Sequence, residues 1–136
     1  MASTQRRLTL TLGAYVFAVG LVLHTGDHLR RGTDVITDHV LVGGYIVAAV
    51  SVVTIGLILA DHRLASITAA VGGFAVAVGV SAAHLLPTWS AFSDSLPDQG
   101  LDAFTWFAVL VEIGGALLVG ALGLRELIRS PVEEAA

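Results

Sequence analysis

The sequence predicts an all-α integral membrane protein, folded as a bundle of four transmembrane helices that run up, down, up and down. Hydrophobic residues make up 55% of the 136-residue chain and charged residues only 13%, whereas about a quarter of the residues are charged in a soluble domain. The mean hydropathy is +0.83. The apolar residues fall into four runs, each close to the ~20 residues that a helix needs to cross a bilayer.

The first span is predicted at about residues 8–29, after a short polar segment that contains Arg6 and Arg7. A basic start and an apolar run also characterise signal peptides, but no small-X-small cleavage site follows this run. We therefore interpret it as a retained transmembrane helix. Its end is unusually polar, because the stretch HTGDHLRR at 24–31 holds two histidines, a carboxylate and two arginines.

The second and third spans are predicted at about residues 39–60 and 64–86. Thr37 or Asp38 can cap the second, because a short acceptor side chain satisfies the free N–H groups of a first helical turn. Residues 61–63 form a tight turn between the two spans. Pro87 ends the third span, because proline cannot donate the hydrogen bond that continues a helix.

The fourth span is predicted at about residues 101–124 and is followed by a polar tail, 125–136. The connector before it, 87–100, is the longest and contains Trp89, Phe92, two prolines and two aspartates. Aromatic residues are enriched where a membrane protein meets the headgroups. We therefore expect this connector to lie at the membrane surface.

Four spans joined by short connectors place both termini on the same side of the membrane. Arginines are more frequent on cytoplasmic loops, and five arginines would share the side of the termini against two on the other. We therefore expect a multi-pass protein of the cell membrane with cytoplasmic termini. The five are Arg6, Arg7, Arg63, Arg125 and Arg129, and the two are Arg30 and Arg31.

Glycine is frequent in the spans and occurs in Gly-Gly pairs at 43–44, 72–73 and 114–115. Small residues let helix backbones approach closely in lipid, where packing drives association. The expected partners are therefore the lipid bilayer and a further copy of the chain or a larger membrane complex. Nucleic acid is not an expected partner, because the net charge is -4 and the chain has no basic patch.

Four of the five histidines are predicted to lie in one layer near the outer membrane boundary. His24, Asp27 and His28 are spaced i, i+3 and i+4, which places them on one face of a helix. His39 begins the second span and His84 closes the third, so both reach the same level. Imidazoles and a carboxylate in this spacing can bind one transition-metal ion. The alternative is that the first span simply ends in polar residues, with Asp27 paired to Arg30 or Arg31.

Glu112 is predicted to lie inside the membrane, roughly 12 Å below the outer boundary at the helical rise per residue. A carboxylate at that depth is costly and is expected to face the bundle interior with a partner. His24 is the nearest candidate in depth. The alternative is a protonated glutamic acid that makes a single interhelical hydrogen bond, because burial disfavours the charged form.

Three functions are compatible with these residues. The first is metal binding in an outward-facing pocket, for uptake, buffering or sensing of zinc or copper. The second is electron transfer by a b-type haem held between His24 or His28 and His84, with Arg30 and Arg31 at its propionates. The third is a non-catalytic structural or accessory subunit. An enzyme is the least favoured, although a zinc-activated water is conceivable.

Overall fold

The computed structural model describes residues 2–32 and 36–133, and within them all side chains except those of residues 2–4, 6 and 130–133. This part of the chain is all-helical and contains no strand. Its five helices are α1 (Ala2–Arg31), α2 (Asp38–Leu59), α3 (Ala65–His84), α4 (Leu96–Gln99) and α5 (Ala103–Glu133). Helices α1, α2, α3 and α5 are long and apolar enough to cross a membrane, which confirms the four predicted spans.

The helices differ from the predicted spans at several points. Helix α1 runs from Ala2 to Arg31, whereas the first span was predicted at about residues 8–29. Helix α3 stops at His84, two residues before the predicted end of the third span, and α5 continues to Glu133, so most of the predicted polar tail is helical. The short helix α4 was not predicted; the side chain of Ser95 caps it by accepting a hydrogen bond from the Asp98 N–H. Residues 33–35 of the first connector and 134–136 of the tail lie outside the described residues.

Two turns explain how the chain enters α2 and α3. The Thr37 side chain accepts a hydrogen bond from the Val40 N–H at 3.3 Å, so Thr37, one of the two predicted residues, caps α2. Between α2 and α3, Asp61 adopts a positive φ of 51°, a conformation that aspartate tolerates better than most residues. This reversal brings α3 back against α2.

Each of α1 and α3 packs against both α5 and α2, and the contacts of α5 are the more extensive. The core is built mainly from small apolar side chains, with Phe17 as its largest member. Small side chains allow the helices to approach closely. The most buried members are Ala14, Phe17, Ala69, Leu96, Ala108, Val109, Ala116 and Val119.

Gly20 sets the closest approach between α1 and α5. A Cβ atom at this position would lie 2.5 Å from the Glu112 Cα atom, so only glycine allows the two backbones to meet there. Gly73 plays the same role between α3 and α5, where an added Cβ would lie 2.6 Å from the Ala116 carbonyl oxygen. The first of these contacts lies one turn from His24 and therefore positions the candidate site.

Large apolar side chains cover much of the outside of the bundle. Within the most apolar window of each spanning helix, between 17% and 50% of the residues are buried inside the protein. The rest of each apolar face has no partner among the described residues, which is the expected state of a helix surrounded by lipid. Exposed examples from all four helices are Tyr15, Val22, Tyr45, Ile46, Val71, Val78, Phe107 and Leu110.

Candidate metal centre

Three histidines from two helices meet inside one end of the bundle. His24 and His28 come from the last two turns of α1, and His84 is the last residue of α3. The ring centroid of His24 lies 4.7 Å from that of His28 and 4.7 Å from that of His84. The centroids of His28 and His84 are 5.6 Å apart. One ligand nitrogen from each ring lies within 4.8 Å of the other two. The three imidazoles therefore form a group that can hold a metal ion.

The ring of His24 is oriented by a buried carboxylate on α5. Its Nδ1 is hydrogen-bonded to Glu112 Oε2, and Glu112 is 1% exposed. When Glu112 is ionised, its carboxylate accepts this hydrogen bond, so the Nδ1 of His24 carries the proton and Nε2 keeps its lone pair. A hydrogen bond of this kind to the far nitrogen of a metal-ligating histidine fixes the ring and raises its basicity.

His84 is oriented in the same way by the main chain. Its Nδ1 donates to the Asp94 carbonyl oxygen at 3.0 Å, which leaves the Nε2 lone pair available. Asp94 belongs to the connector between α3 and α4, and its own N–H donates to the Ala83 carbonyl at 2.9 Å. The connector therefore folds back onto the end of α3 and fixes the tautomer of His84.

Four buried polar atoms of this region have no hydrogen-bond partner. They are His24 Nε2, His28 Nδ1, Asp27 Oδ2 and Glu112 Oε1. An unsatisfied buried polar atom costs roughly 1–3 kcal/mol, so four in one place require an explanation. Two of the four are imidazole nitrogens of the three-histidine group, and a bound cation would satisfy both of them.

Ion pairs surround the histidines on the side of the connectors. Asp27 is 1% exposed and pairs with Arg30 at 2.8 Å, and Arg30 also reaches Asp102 at 2.8 Å. Arg31 pairs with Asp94 at 3.2 Å. These contacts join the end of α1 to the start of α5 and to the connector. Both arginines that the sequence offered as contacts for an anion or a haem propionate are therefore engaged by carboxylates.

The two connector aspartates are held in the ionised form. Burial raises the pKa of Asp94, but hydrogen bonds from Gln99 and Arg31 outweigh it, so this pKa lies below the ordinary value. The Thr105 N–H and the Arg30 guanidinium lower the pKa of Asp102. Both carboxylates therefore carry negative charge at neutral pH, and that of Asp94 lies beside the histidine group, with 3.6 Å between His84 Nδ1 and Asp94 Oδ2.

The structure does not bring every predicted site residue into the group. His39 is exposed, and its ring lies edge-on against Phe92 with centroids 5.6 Å apart. Asp27 is buried beside His28 but is not among the three clustered ligands. His39 lies at the first turn of α2, whose rotation directs the ring towards the connector instead of the bundle centre.

Sequence reasoning missed the acidic partners of Arg30 and Arg31. Asp94 orients His84 and pairs with Arg31, and Asp102 pairs with Arg30. Asp94 belongs to the connector that was interpreted only as a membrane-surface loop, whereas Asp102 falls within the predicted fourth span. The available signal was the presence of acidic residues between the end of the third span and the start of the fourth, opposite in charge to Arg30 and Arg31.

No known protein family, curated protein or solved structure matches this chain. The interpretation of the site therefore depends on its own residues.

Proposed function

We propose that this protein binds a divalent transition-metal ion, zinc or copper, through His24, His28 and His84. One observation carries the proposal: three imidazoles offer nitrogens within 4.8 Å of one another while separate acceptors hold the Nδ1 atoms of His24 and His84. Three histidines with such outer partners are a common ligand set for zinc.

The acidic residues around the histidines support a cation as the ligand. Asp27, Asp94 and Glu112 are each at most 4% exposed, and Arg30 and Arg31 pair with two of them. A carboxylate in a buried site is unfavourable unless a positive charge compensates it, and a divalent ion among the imidazoles would supply that charge.

A b-type haem is less well supported by the packing. Its macrocycle would have to lie between two of the imidazoles, yet the His24 and His84 rings already touch edge-on at 4.7 Å between centroids. Arg30 and Arg31 are engaged by carboxylates and are not directed to propionates. A purely structural subunit is also less favoured, because it leaves the orphaned nitrogens of His24 and His28 without an explanation.

Holding an ion, for buffering or sensing, is favoured over conducting it. Beyond Glu112 the described core towards the other end of the bundle is mainly apolar, with Phe17, Val76 and Val119 almost fully buried, and its buried polar side chains are the hydroxyls of Ser51 and Thr54. No path of ionisable side chains crosses these described layers. We propose that the histidine end faces the outside of the cell membrane and that the four spans alternate in direction. The contacts of Gly13 with Leu122 and of Gly20 with Glu112 support the opposed directions of α1 and α5.

The test is metal binding by the purified protein in detergent. We expect about one zinc or copper ion per chain by elemental analysis, and a visible spectrum without a haem Soret band. His84→Ala removes the ligand that α3 contributes and leaves the sequence of α1 unchanged. We expect this variant to lose tight binding of the metal ion. His24→Ala and His28→Ala are expected to do the same.

His39→Ala and His62→Ala are matched controls, since each removes a histidine that lies outside the group. Both variants are expected to keep the stoichiometry and affinity of the unmodified protein. Circular dichroism verifies that every variant remains helical. Unchanged metal affinity in a folded His84→Ala variant would overturn the proposal, and a Soret band that this variant loses would establish the haem alternative.

A further inference from the structure

The three-histidine group provides fewer ligands than a zinc ion normally takes. Zinc is almost always four-coordinate, and sites with three protein ligands complete the shell with water or substrate. Among the described residues, His24, His28 and His84 are the complete group whose ligand atoms lie close enough to share an ion. Glu112 is hydrogen-bonded to Nδ1 of His24. This nitrogen lies on the opposite side of the ring from Nε2, the atom that would bind the ion.

Asp27 presents an unexplained acceptor next to this group. One carboxylate oxygen, Oδ1, accepts from Arg30 at 2.8 Å, whereas Oδ2 is buried without a partner. The residue shares the helical face of His24 and His28 through its i+3 and i+4 spacing. A buried carboxylate oxygen needs a hydrogen-bond donor, and the described residues supply none to Oδ2.

We propose, on the basis of the proposed metal site, that the ion keeps one coordination position for an exogenous small ligand and that Asp27 orients it. The resting ligand is a water molecule, which binds the ion through oxygen and donates a hydrogen bond to Asp27 Oδ2. A small monovalent anion can replace this water. Asp27 is then a positioning residue, because it acts on the exogenous ligand and leaves the ion to the three histidines.

This assignment accounts for three of the four orphaned atoms together. His24 Nε2 and His28 Nδ1 are lone-pair donors suited to a cation, whereas Asp27 Oδ2 is an acceptor suited to a hydrogen on the water. Arg30 holds the other oxygen of Asp27 and is itself fixed by Asp102 at 2.8 Å and by the Thr105 hydroxyl at 3.2 Å. The carboxylate therefore keeps its position whether or not the exogenous ligand is present.

The test uses the full chain in detergent micelles, loaded with Co²⁺ alone, and a titration with sodium azide at constant pH and ionic strength. Cobalt takes the place of zinc and reports its coordination through visible d–d bands. We expect azide to shift these bands with saturation at one azide per cobalt. Asp27→Asn replaces a carboxylate that repels the anion and weakens the hydrogen bond that the bound water donates to this side chain. We therefore expect azide to bind about tenfold more tightly to the variant.

Asp102→Asn is the matched control, because it removes the other carboxylate partner of Arg30 at a position that is more than half exposed. Its azide affinity should equal that of the unmodified protein. Cobalt bands that do not respond to azide in the unmodified protein would overturn the proposal, because the fourth position would then belong to the protein. This result does not depend on whether Asp27→Asn folds.

An azide affinity that is the same in folded Asp27→Asn as in the unmodified protein would also overturn the proposal, because Asp27 would not face the ligand. Failure of cobalt to bind at all has a different signature, since no d–d bands would be present. That outcome would remove the proposed function and this inference with it.

Discussion

His24, Asp27 and Glu112 are each less than a tenth exposed at one end of the bundle, whereas Arg7, Asp61 and His62 are exposed at the other. His24 lies 17 residues after Arg7 in α1, which corresponds to about 25 Å along a helix. Both ends thus contain a histidine, a carboxylate and an arginine. Only at the first end are such groups buried away from solvent.

The consequence is visible in how each end satisfies its polar atoms. At the exposed end, Arg7 pairs with Asp61, and the Leu64 N–H donates to His62 Nδ1 at 3.2 Å, so these residues close a turn and water can complete their hydrogen bonding. At the buried end, polar atoms remain unpartnered where water is scarce. Burial with missing partners, and not the residue type, therefore distinguishes the candidate metal-binding end from the other.

Removing Arg31 should produce the largest loss of stability. The Arg31 and Asp94 side chains are 10% and 4% exposed, and breaking a buried pair from one side costs about 3 kcal/mol because the other charge stays uncompensated. We expect Arg31→Ala to lower the free energy of unfolding by this amount, measured by SDS titration with circular dichroism. The double variant Arg31→Ala/Asp94→Asn should recover part of the loss. A double variant less stable than the single one would contradict the uncompensated-charge explanation.

Gly20→Ala is expected to destabilise the bundle by roughly 1–3 kcal/mol, the usual cost of overpacking. The new methyl group would meet the Glu112 backbone at 2.5 Å and push α1 away from α5, so metal affinity should fall as well. Gly114→Ala is the control, because a Cβ there meets nothing within 4 Å. The same SDS titration and a zinc titration measure both effects. Equal stability of the two variants would show that the close approach at Gly20 is dispensable.

Glu112→Gln keeps the size of the side chain but removes the charge that orients His24. Loss of such an outer partner typically weakens metal binding about 10- to 100-fold. We expect a decrease of this size in zinc affinity, measured by competition with a chelator, with little change in helix content. Glu126→Gln applies the same substitution near the opposite end of α5 and should leave zinc affinity unchanged. An equal decrease in both variants would mean that the effect is not specific to the site.

Arg7→Ala should have the smallest effect. The side chains of Arg7 and Asp61 are 61% and 57% exposed, and exposed ion pairs contribute less than about 1 kcal/mol. We expect a change in unfolding free energy below this value and no change in zinc affinity. High salt should reduce the difference between Arg7→Ala and the unmodified protein further. A loss as large as that of Arg31→Ala would remove the contrast between the two ends.

Much of the fold could be predicted because its causes are local. The spans follow from runs of apolar residues, and the i, i+3 and i+4 spacing of His24, Asp27 and His28 follows from the helical repeat. The meeting of His28 and His84 could also be predicted, since a fixed rise per residue places them at one level, and their ring centroids are 5.6 Å apart. The rotation of each helix about its axis could not be predicted. His39, which was expected at the same level, lies beside Phe92 and outside the group.

The path of the connector was equally inaccessible from the sequence. Asp94 lies ten residues after His84, and no periodic pattern links the two. Only the folded connector brings the Asp94 carbonyl to His84 Nδ1 and the Asp94 carboxylate to Arg31. Hydrogen bonds between distant segments depend on the whole chain path, which has no signature within a window of neighbouring residues.

The sequence by itself therefore determined that the chain forms four helices long and apolar enough to cross a membrane and that His24, Asp27 and His28 share one helical face. Tertiary structure alone decided that His84 joins His24 and His28, and that Glu112 bonds to His24 while Asp27 bonds to Arg30. The physical reason is that hydrophobicity and helical repeat act within a segment. The rotation of each helix depends on contacts with another, such as the meeting of Gly20 and Glu112.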